Sequence, residues 1–254
     1  MIKIDKGPAP VSIEKAKAKY ALKNNSEYLD HVEDYNSGKK KFNFTAAYRS
    51  SSVKAKLMAR QYSKCCFCEA KFVNDDAHVE HFRPKGMVVT VIDGQVSYPG
   101  YYWLAYDWDN LFLCKSTTNS SVKLNYFPLI GDIQRNRNHM DNLFETPVLI
   151  DPSKEDPRQF IGFVQEEIVG LNERGKQNIS LLGLRNPQLD EARRIYFRQL
   201  AEAKDAVDLF VANNISLAEP AVNALVVSLR ESVKPHSEFS SMAIDLLKGW
   251  PHLQ

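Results

Sequence analysis

The reading of this chain turns on residues 65–125, which open with Cys65-Cys66-Phe67-Cys68-Glu69. His78-Val79-Glu80-His81-Phe82-Arg83-Pro84-Lys85 follows, then Asp107-Trp108-Asp109-Asn110-Leu111-Phe112-Leu113-Cys114, and finally Asn119 and Lys123. Between the second and third fragments runs Val88-Val89-Thr90-Val91-Ile92-Asp93-Gly94-Gln95-Val96-Ser97-Tyr98. Asp-Gly between β-branched runs predicts a hairpin, because both central turn positions need positive φ. The hairpin therefore interrupts a unit that begins at the cysteines and ends near Asn125. All four cysteines, Cys65, Cys66, Cys68 and Cys114, lie in this stretch, and three of them fall within four residues. That spacing is poor for disulfides and suits metal binding or a reduced thiol cluster.

Outside this unit the chain reads as mostly helical. Residues 1–10 are punctuated by Gly and Pro and read as extended. Ser12 is placed to cap a helix to about Asn24, Ser26 a shorter one to Tyr35, and a further helix is predicted over Thr45 to Tyr62. Residues 130–160 carry Pro147, Pro152 and Pro157 and read as an irregular connection. Asn172-Glu173 starts a helix to about Leu182, and Asn186-Pro187 is a cap with proline at the first helical position. Pro220 starts another helix, and Ser237 is placed to cap a last one that Gly249 and Pro251 end. The expected organisation is an N-terminal arm with helices (1–63), a core (64–130), and a connection leading to a C-terminal helical bundle (131–254).

The 254 residues are 44% hydrophobic and 25% charged, the balance of a soluble globular protein. No apolar run approaches the ~20 residues that span a bilayer, and the N-terminus lacks an apolar signal core, so a cytoplasmic location and no membrane partner are expected. Net charge is only +2 but uneven, with 13 Lys/Arg against 6 Asp/Glu in residues 1–60. That surplus suits a polyanionic partner, and equally a solvated, lysine-rich helical face.

An acid–His pair, a later Asn-Leu and a later Asn-x-x-x-Lys, in that order, resemble the HNH, or ββα-metal, nuclease signature. More narrowly, the chain resembles the PtuB-like HNH proteins of Septu-type anti-phage systems, including those attached to retrons. The narrower resemblance lies in Met1-Ile2-Lys3-Ile4-x-Lys6-Gly7-Pro8-Ala9-Pro10, in Glu80 to Lys85, in Trp103-Leu104-x-Tyr106-Asp107-Trp108-x-Asn110-Leu111, and in Asn125-x-Phe127-Pro128-Leu129. It covers the first half well and the second half loosely. It implies an α+β fold: a ββα-metal finger with an inserted β-hairpin, embedded in a mostly helical protein.

Carried over residue by residue, the resemblance makes His81 the general base, Glu80 the first metal ligand and Asn119 the second. Asn110 becomes the residue that fixes the loop holding the base. Hard oxygen ligands suit Mg²⁺ or Mn²⁺, and an imidazole of ordinary pKa near ~6.5 is matched to proton transfer at neutral pH. Arg83, Lys85 and Lys123 are candidates for phosphate contact. Two departures stand out: Glu80 occurs where the family usually has aspartate, and Asn119 where it often has histidine.

Many relatives hold the finger with zinc on two Cys-x-x-Cys pairs. Cys65 and Cys68 match the first pair, but Lys115 and Thr118 occupy the second, with Cys114 one residue off register as a third thiolate. A closed zinc site wants four ligands, so a degenerate site without firmly held Zn²⁺ is expected. The implied partners are nucleic acid (DNA or RNA), an ABC/SMC-type ATPase (PtuA-like), and a retron reverse transcriptase with its msDNA in the retron-attached versions. The competing reading is a non-catalytic finger that binds nucleic acid or the partner.

Overall fold

In the computed structural model, described here for all residues except 74–75, 91–93, 116–122, 132–133 and 254, two antiparallel strands form the centre. They are β1 (Ala77–His81) and β4 (Leu111–Lys115), with Glu80 opposite Phe112 and His81 opposite Leu111. Between them in sequence, β2 (Val88–Val89) pairs antiparallel with β3 (Val96–Ser97), so a hairpin is inserted between paired strands. Its Asp93 lies outside the described residues, and Gly94 has φ +66°. The segment that follows β4, including Asn119, also lies outside them.

β4 explains the layering. Four of its residues, Leu111-Phe112-Leu113-Cys114, are fully buried. Alternate side chains of a strand face opposite ways, so such a run needs cover on both faces. Leu111 and Leu113 pack with Ile13 and Ala16 of α1 (Val11–Asp30) and with Val53 and Leu57 of α3 (Ser51–Arg60). Phe112 and Cys114 pack on the other side with Cys65, Phe67, Cys68, Ile150, Ile161, Leu182 and Met242. This larger core also takes Met1 and Ile4, so the three sequence segments share one interior.

The N-terminal segment is part of that interior. The Lys6 ammonium donates to the Leu111 carbonyl at 2.6 Å and to that of Trp108, and lies over the Trp108 and Phe112 rings. Burial lowers its pKa to about 8. At least this lysine of the basic N-terminal third serves the core and is not presented to a polyanion.

α1 runs unbroken through Asn24-Asn25-Ser26 and stops at His31, where ψ is 41°. A short α2 (Val32–Asn36) follows. The helix predicted over Thr45 to Tyr62 is instead a 3-10 turn, Ala46–Arg49, then α3, broken at the extended Ser50. Residues 161–170 form a further hairpin, β5 (Ile161–Val164) against β6 (Glu167–Gly170).

The C-terminal helices follow their local signals more closely. Asn172 caps α4 (Glu173–Leu181), accepting from the Gly175 N–H at 2.9 Å, and Asn186 caps α5 (Pro187–Ala212), accepting from the Leu189 N–H. Pro220 begins α6 (Pro220–Ser232). The last helix, α7 (Ser240–Leu246), starts three residues after Ser237, whose hydroxyl donates to the Glu231 carbonyl instead of capping it. Leu200 and Val207 of α5, Val226 and Leu229 of α6, and Ala243 of α7 form a separate apolar cluster. Among the described residues, no helix is long and apolar enough to cross a membrane.

Candidate functional site

His81 ends β1, where the chain leaves the sheet and turns through Phe82, Arg83 and Pro84. The turn is held by Asn110, just before β4. Its Oδ1 accepts from the Arg83 N–H at 2.7 Å, and its Nδ2 donates to the Arg83 carbonyl at 3.0 Å and the Leu104 carbonyl at 3.1 Å. One 5%-exposed amide thus bridges two backbone segments. Gly100 closes the turn from outside: a Cβ there would lie 2.5 Å from the Pro84 carbonyl oxygen, so only glycine admits this approach.

A general base that must reach a water is expected to be partly exposed at the mouth of the finger, and His81 is not. The side chain is buried and packs edge-on to Tyr48, ring centroids 4.6 Å apart. Its Nε2 lies 3.0 Å from the Ala105 carbonyl oxygen, which can only accept, so Nε2 carries the proton and Nδ1 has the lone pair. Nδ1 faces the Lys85 ammonium at 3.3 Å. Burial, and then the nearby Lys85 charge, lower the His81 pKa to about 3. The ring is therefore neutral throughout the physiological range, with its acceptor nitrogen already engaged. Burial likewise lowers the Lys85 pKa to about 8, against the attraction of Glu80.

Glu80, one residue earlier, follows the pleat to the opposite side. It is 7% exposed, and its Oε1 lies 2.5 Å from the Lys123 ammonium. Lys123, at 1% exposure, also donates to the His81 carbonyl at 3.1 Å. A carboxylate removed from water is tolerated only when it is paired, and Lys123 supplies that partner.

The three basic residues expected to present themselves to phosphate therefore have three internal partners. Lys123 holds Glu80. Lys85 holds His81 and lies 4.4 Å from the centre of the Tyr48 ring. Arg83 pairs with the buried Glu145 and stacks over Tyr101 and Phe127. Neither Tyr48 nor Glu145 carried a local sequence signal, since each acquires its role only by packing.

Glu80 offers the oxygen chemistry that Mg²⁺ or Mn²⁺ takes, but its Oε1 is already charge-paired by Lys123. Among the described residues, no group of three His, Cys, Asp or Glu side chains is arranged to hold a metal ion. The expected second ligand, Asn119, lies outside them.

The cysteines are all buried thiols. Hydrogen bonds from Cys66 and Cys68 hold the Cys65 thiol well below its ordinary pKa despite its burial. Burial pushes Cys66 and Cys114 up, and the bond to Cys65 does the same for Cys68. Cys114 Sγ lies 3.9 Å from the His78 carbonyl oxygen. The neighbouring Glu69 carboxylate anchors this loop to α7. It accepts from the Ser240 hydroxyl at 2.9 Å and the Ser241 N–H at 3.2 Å, and pairs with the Met1 ammonium and Lys64.

No family model matches the chain. It is 35% identical to the Septu protein PtuB of Bacillus mycoides (strain KBAB4) over 158 residues, which are 60% of this chain and 53% of that protein. It is 25% identical over 150 residues to the Septu protein PtuA of the same organism, covering 58% of this chain and 21% of that protein. The match thus spans about half the length of the first relative and a fifth of the second, and it makes this chain similar to Septu proteins, PtuB above all.

Proposed function

We propose that this chain is a PtuB-like component of a Septu-type anti-phage system and acts there as an HNH-type endonuclease on DNA or RNA, working with a PtuA-like ATPase. The observation that carries the reading is the Glu80-His81 pair behind the Asn110 brace, in a chain 35% identical to a Septu PtuB. The Ala105 carbonyl fixes the His81 tautomer, so Nδ1 is the atom to accept the proton of an attacking water. As that proton leaves, the water oxygen attacks phosphorus, the bond to the leaving oxygen breaks, and the leaving oxygen takes up a proton from solvent. Lys85 is the cation nearest Nδ1 and the first that a phosphate would draw away. Releasing it frees the acceptor nitrogen and removes one of the charges that depress its basicity. Glu80 and Asn119 are the proposed ligands for Mg²⁺ or Mn²⁺, which when bound would neutralise charge on the phosphate. A retron reverse transcriptase with its msDNA is a further proposed partner.

The non-catalytic reading draws support from the burial of Glu80 and His81 and from their engagement by Lys123 and Lys85. One experiment separates the two. The chain, alone and with its ATPase partner, is incubated with duplex DNA, single strands and total RNA, with and without Mg²⁺. Cleavage that needs Mg²⁺ and disappears in His81→Ala supports the nuclease; binding without cleavage in every arm supports the module.

A further inference from the structure

We infer that Lys15, Lys19 and Lys23 of α1, continued by Arg49, form the track on which a nucleic-acid strand lays its sugar-phosphate backbone as it runs toward His81. The inference rests on the nuclease reading above and names the surface that presents the substrate to that site.

The observation is a register. Lys15, Lys19 and Lys23 stand four residues apart on α1, so they form one line along the helix, about 6 Å apart on its axis. All three are exposed. Lys17, on another face, pairs with Asp107, whereas among the described residues the three of the row pair with no carboxylate. Glu27, next in the same register, is already engaged by the Tyr35 hydroxyl at 2.8 Å and by Lys40 at 3.3 Å. Like charges at this spacing repel and destabilise a helix. An ordinary solvated face relieves that repulsion with interleaved acids, and this row does not. A polyanion laid along it does.

The row leads to the candidate site. Ser12 lies two turns before Lys19 and so on the same face. Its hydroxyl bonds that of Ser52, in the first turn of α3, at 2.8 Å, and Ser52 bonds Ser50, which closes the turn Ala46–Arg49. The row therefore borders the turn that carries Tyr48 and Arg49. Arg49 is exposed, pairs with no carboxylate among the described residues, and lies 6.0 Å from the centre of the Tyr48 ring. After burial, it is the cation that most lowers the Lys85 pKa. Tyr48 packs on His81 and Lys85. Positive charge thus runs from α1 through Arg49 to Lys85 and the imidazole.

Lysine ammoniums contact phosphates without reading bases, so the track holds a strand of any sequence. Each phosphate it neutralises releases condensed counterions, which makes the binding salt-dependent.

The test uses the whole chain without Mg²⁺, so that nothing is cut. The probes are fluorescein-labelled duplex DNA, single-stranded DNA and single-stranded RNA of one length, read by anisotropy. Replacing Lys15, Lys19 and Lys23 together by glutamine should weaken binding about tenfold or more at low salt. It should also flatten the slope of log affinity against log salt by roughly 2–3, because each lost phosphate contact removes about 0.7–0.9. Arg49→Gln should act in the same direction. A control with the same loss of charge at exposed lysines outside this face, Lys71→Gln, Lys234→Gln and Lys248→Gln combined, should leave the slope unchanged. In wild type, amine-directed labelling read by mass spectrometry should find Lys15, Lys19 and Lys23 protected by the oligonucleotide, and Lys71, Lys234 and Lys248 still reactive. The inference is overturned if both triple variants lose affinity equally, if the row stays reactive under saturating oligonucleotide, or if wild type binds none of the three probes. Polyglutamate that displaces the oligonucleotide at equal charge would make the row a docking face for an acidic protein and would overturn it too. Failure of the nuclease reading looks different: the row would be protected and the salt slope would respond, yet the chain with its partner and Mg²⁺ would cut none of the probes.

Discussion

His81 Nδ1 and the Lys85 ammonium face each other at 3.3 Å, with Tyr48 packed against both. The one acceptor nitrogen of the candidate base is thus held by the residue that the sequence offered as a phosphate ligand. This contact, with the Lys123–Glu80 pair behind it, describes a site at rest and yields specific expectations.

Lys85→Met should leave the fold intact, because methionine keeps the aliphatic contact with Tyr48 and Phe44 while removing a partly buried ammonium. Stability at pH 7 should change by no more than ~1 kcal/mol. If Lys85 meets phosphate, cleavage by the complex should fall at least about tenfold, in the range of a lost charge-assisted contact. Chemical melts beside cleavage time courses check both halves, and a variant that cuts at the wild-type rate removes Lys85 from the mechanism.

His81→Ala should cost both activity and stability. Loss of a general base is worth roughly 10²–10⁴-fold in rate. The ring is 5% exposed and satisfies the Ala105 carbonyl, so its removal leaves an unpaired buried acceptor worth about 1–3 kcal/mol. A stability loss well below 1 kcal/mol would contradict the buried geometry.

Acid should destabilise the protein through His81 before it does so through the carboxylates. The folded pKa is lowered to about 3, whereas the unfolded chain titrates near ~6.5, so between these values the unfolded state binds the extra proton. This contribution is complete above pH ~6.5 and is lost progressively as pH falls toward 3, at up to about 1.4 kcal/mol per pH unit. Denaturant melts from pH 7 to 5 lie above the range in which Glu69, also held low in the fold by the Met1 ammonium and Lys64, contributes. His139, whose pKa burial also lowers, adds in the same direction, so the comparison is made against His81→Phe, which should show the shallower slope. Identical slopes would place the wild-type imidazole in water.

Asn110→Ala should remove three hydrogen bonds from a buried turn at a cost of about 2–4 kcal/mol, and should abolish cleavage by releasing the segment that carries His81. Asn110→Asp should not rescue it, since a carboxylate cannot donate to the Arg83 and Leu104 carbonyls. Recovery of wild-type stability by aspartate would show that the bracing role is misread.

Glu69→Ala should be among the most damaging single changes, at ~3–5 kcal/mol, because it strands two cations and two serine hydroxyls in the interior. The measured quantity is the denaturant midpoint; a shift equivalent to less than ~1 kcal/mol would show that these groups are hydrated.

What the sequence determined by itself is local. Asn172 and Asn186 announce their helices because a side-chain cap acts within three residues, and Pro220 starts a helix because its fixed φ suits the first turn. The hairpin between Val88 and Tyr98 was legible from its Asp-Gly. The β5–β6 hairpin gave no such notice: its turn places Gln165, not glycine or asparagine, at φ +56°. α1 runs through Asn24-Asn25-Ser26 because burial of Ile13, Ala16 and Tyr28 along one helix outweighs a weak local preference to stop. Glu80, His81 and Asn110 could be picked out as a constellation, and so could the lysines. That Lys123 would sit on Glu80, Lys85 on His81 and Glu145 on Arg83 was decided only by the tertiary structure. Each of those pairs joins side chains whose charges must be compensated once water is excluded, and which group compensates which depends on where distant segments come to rest.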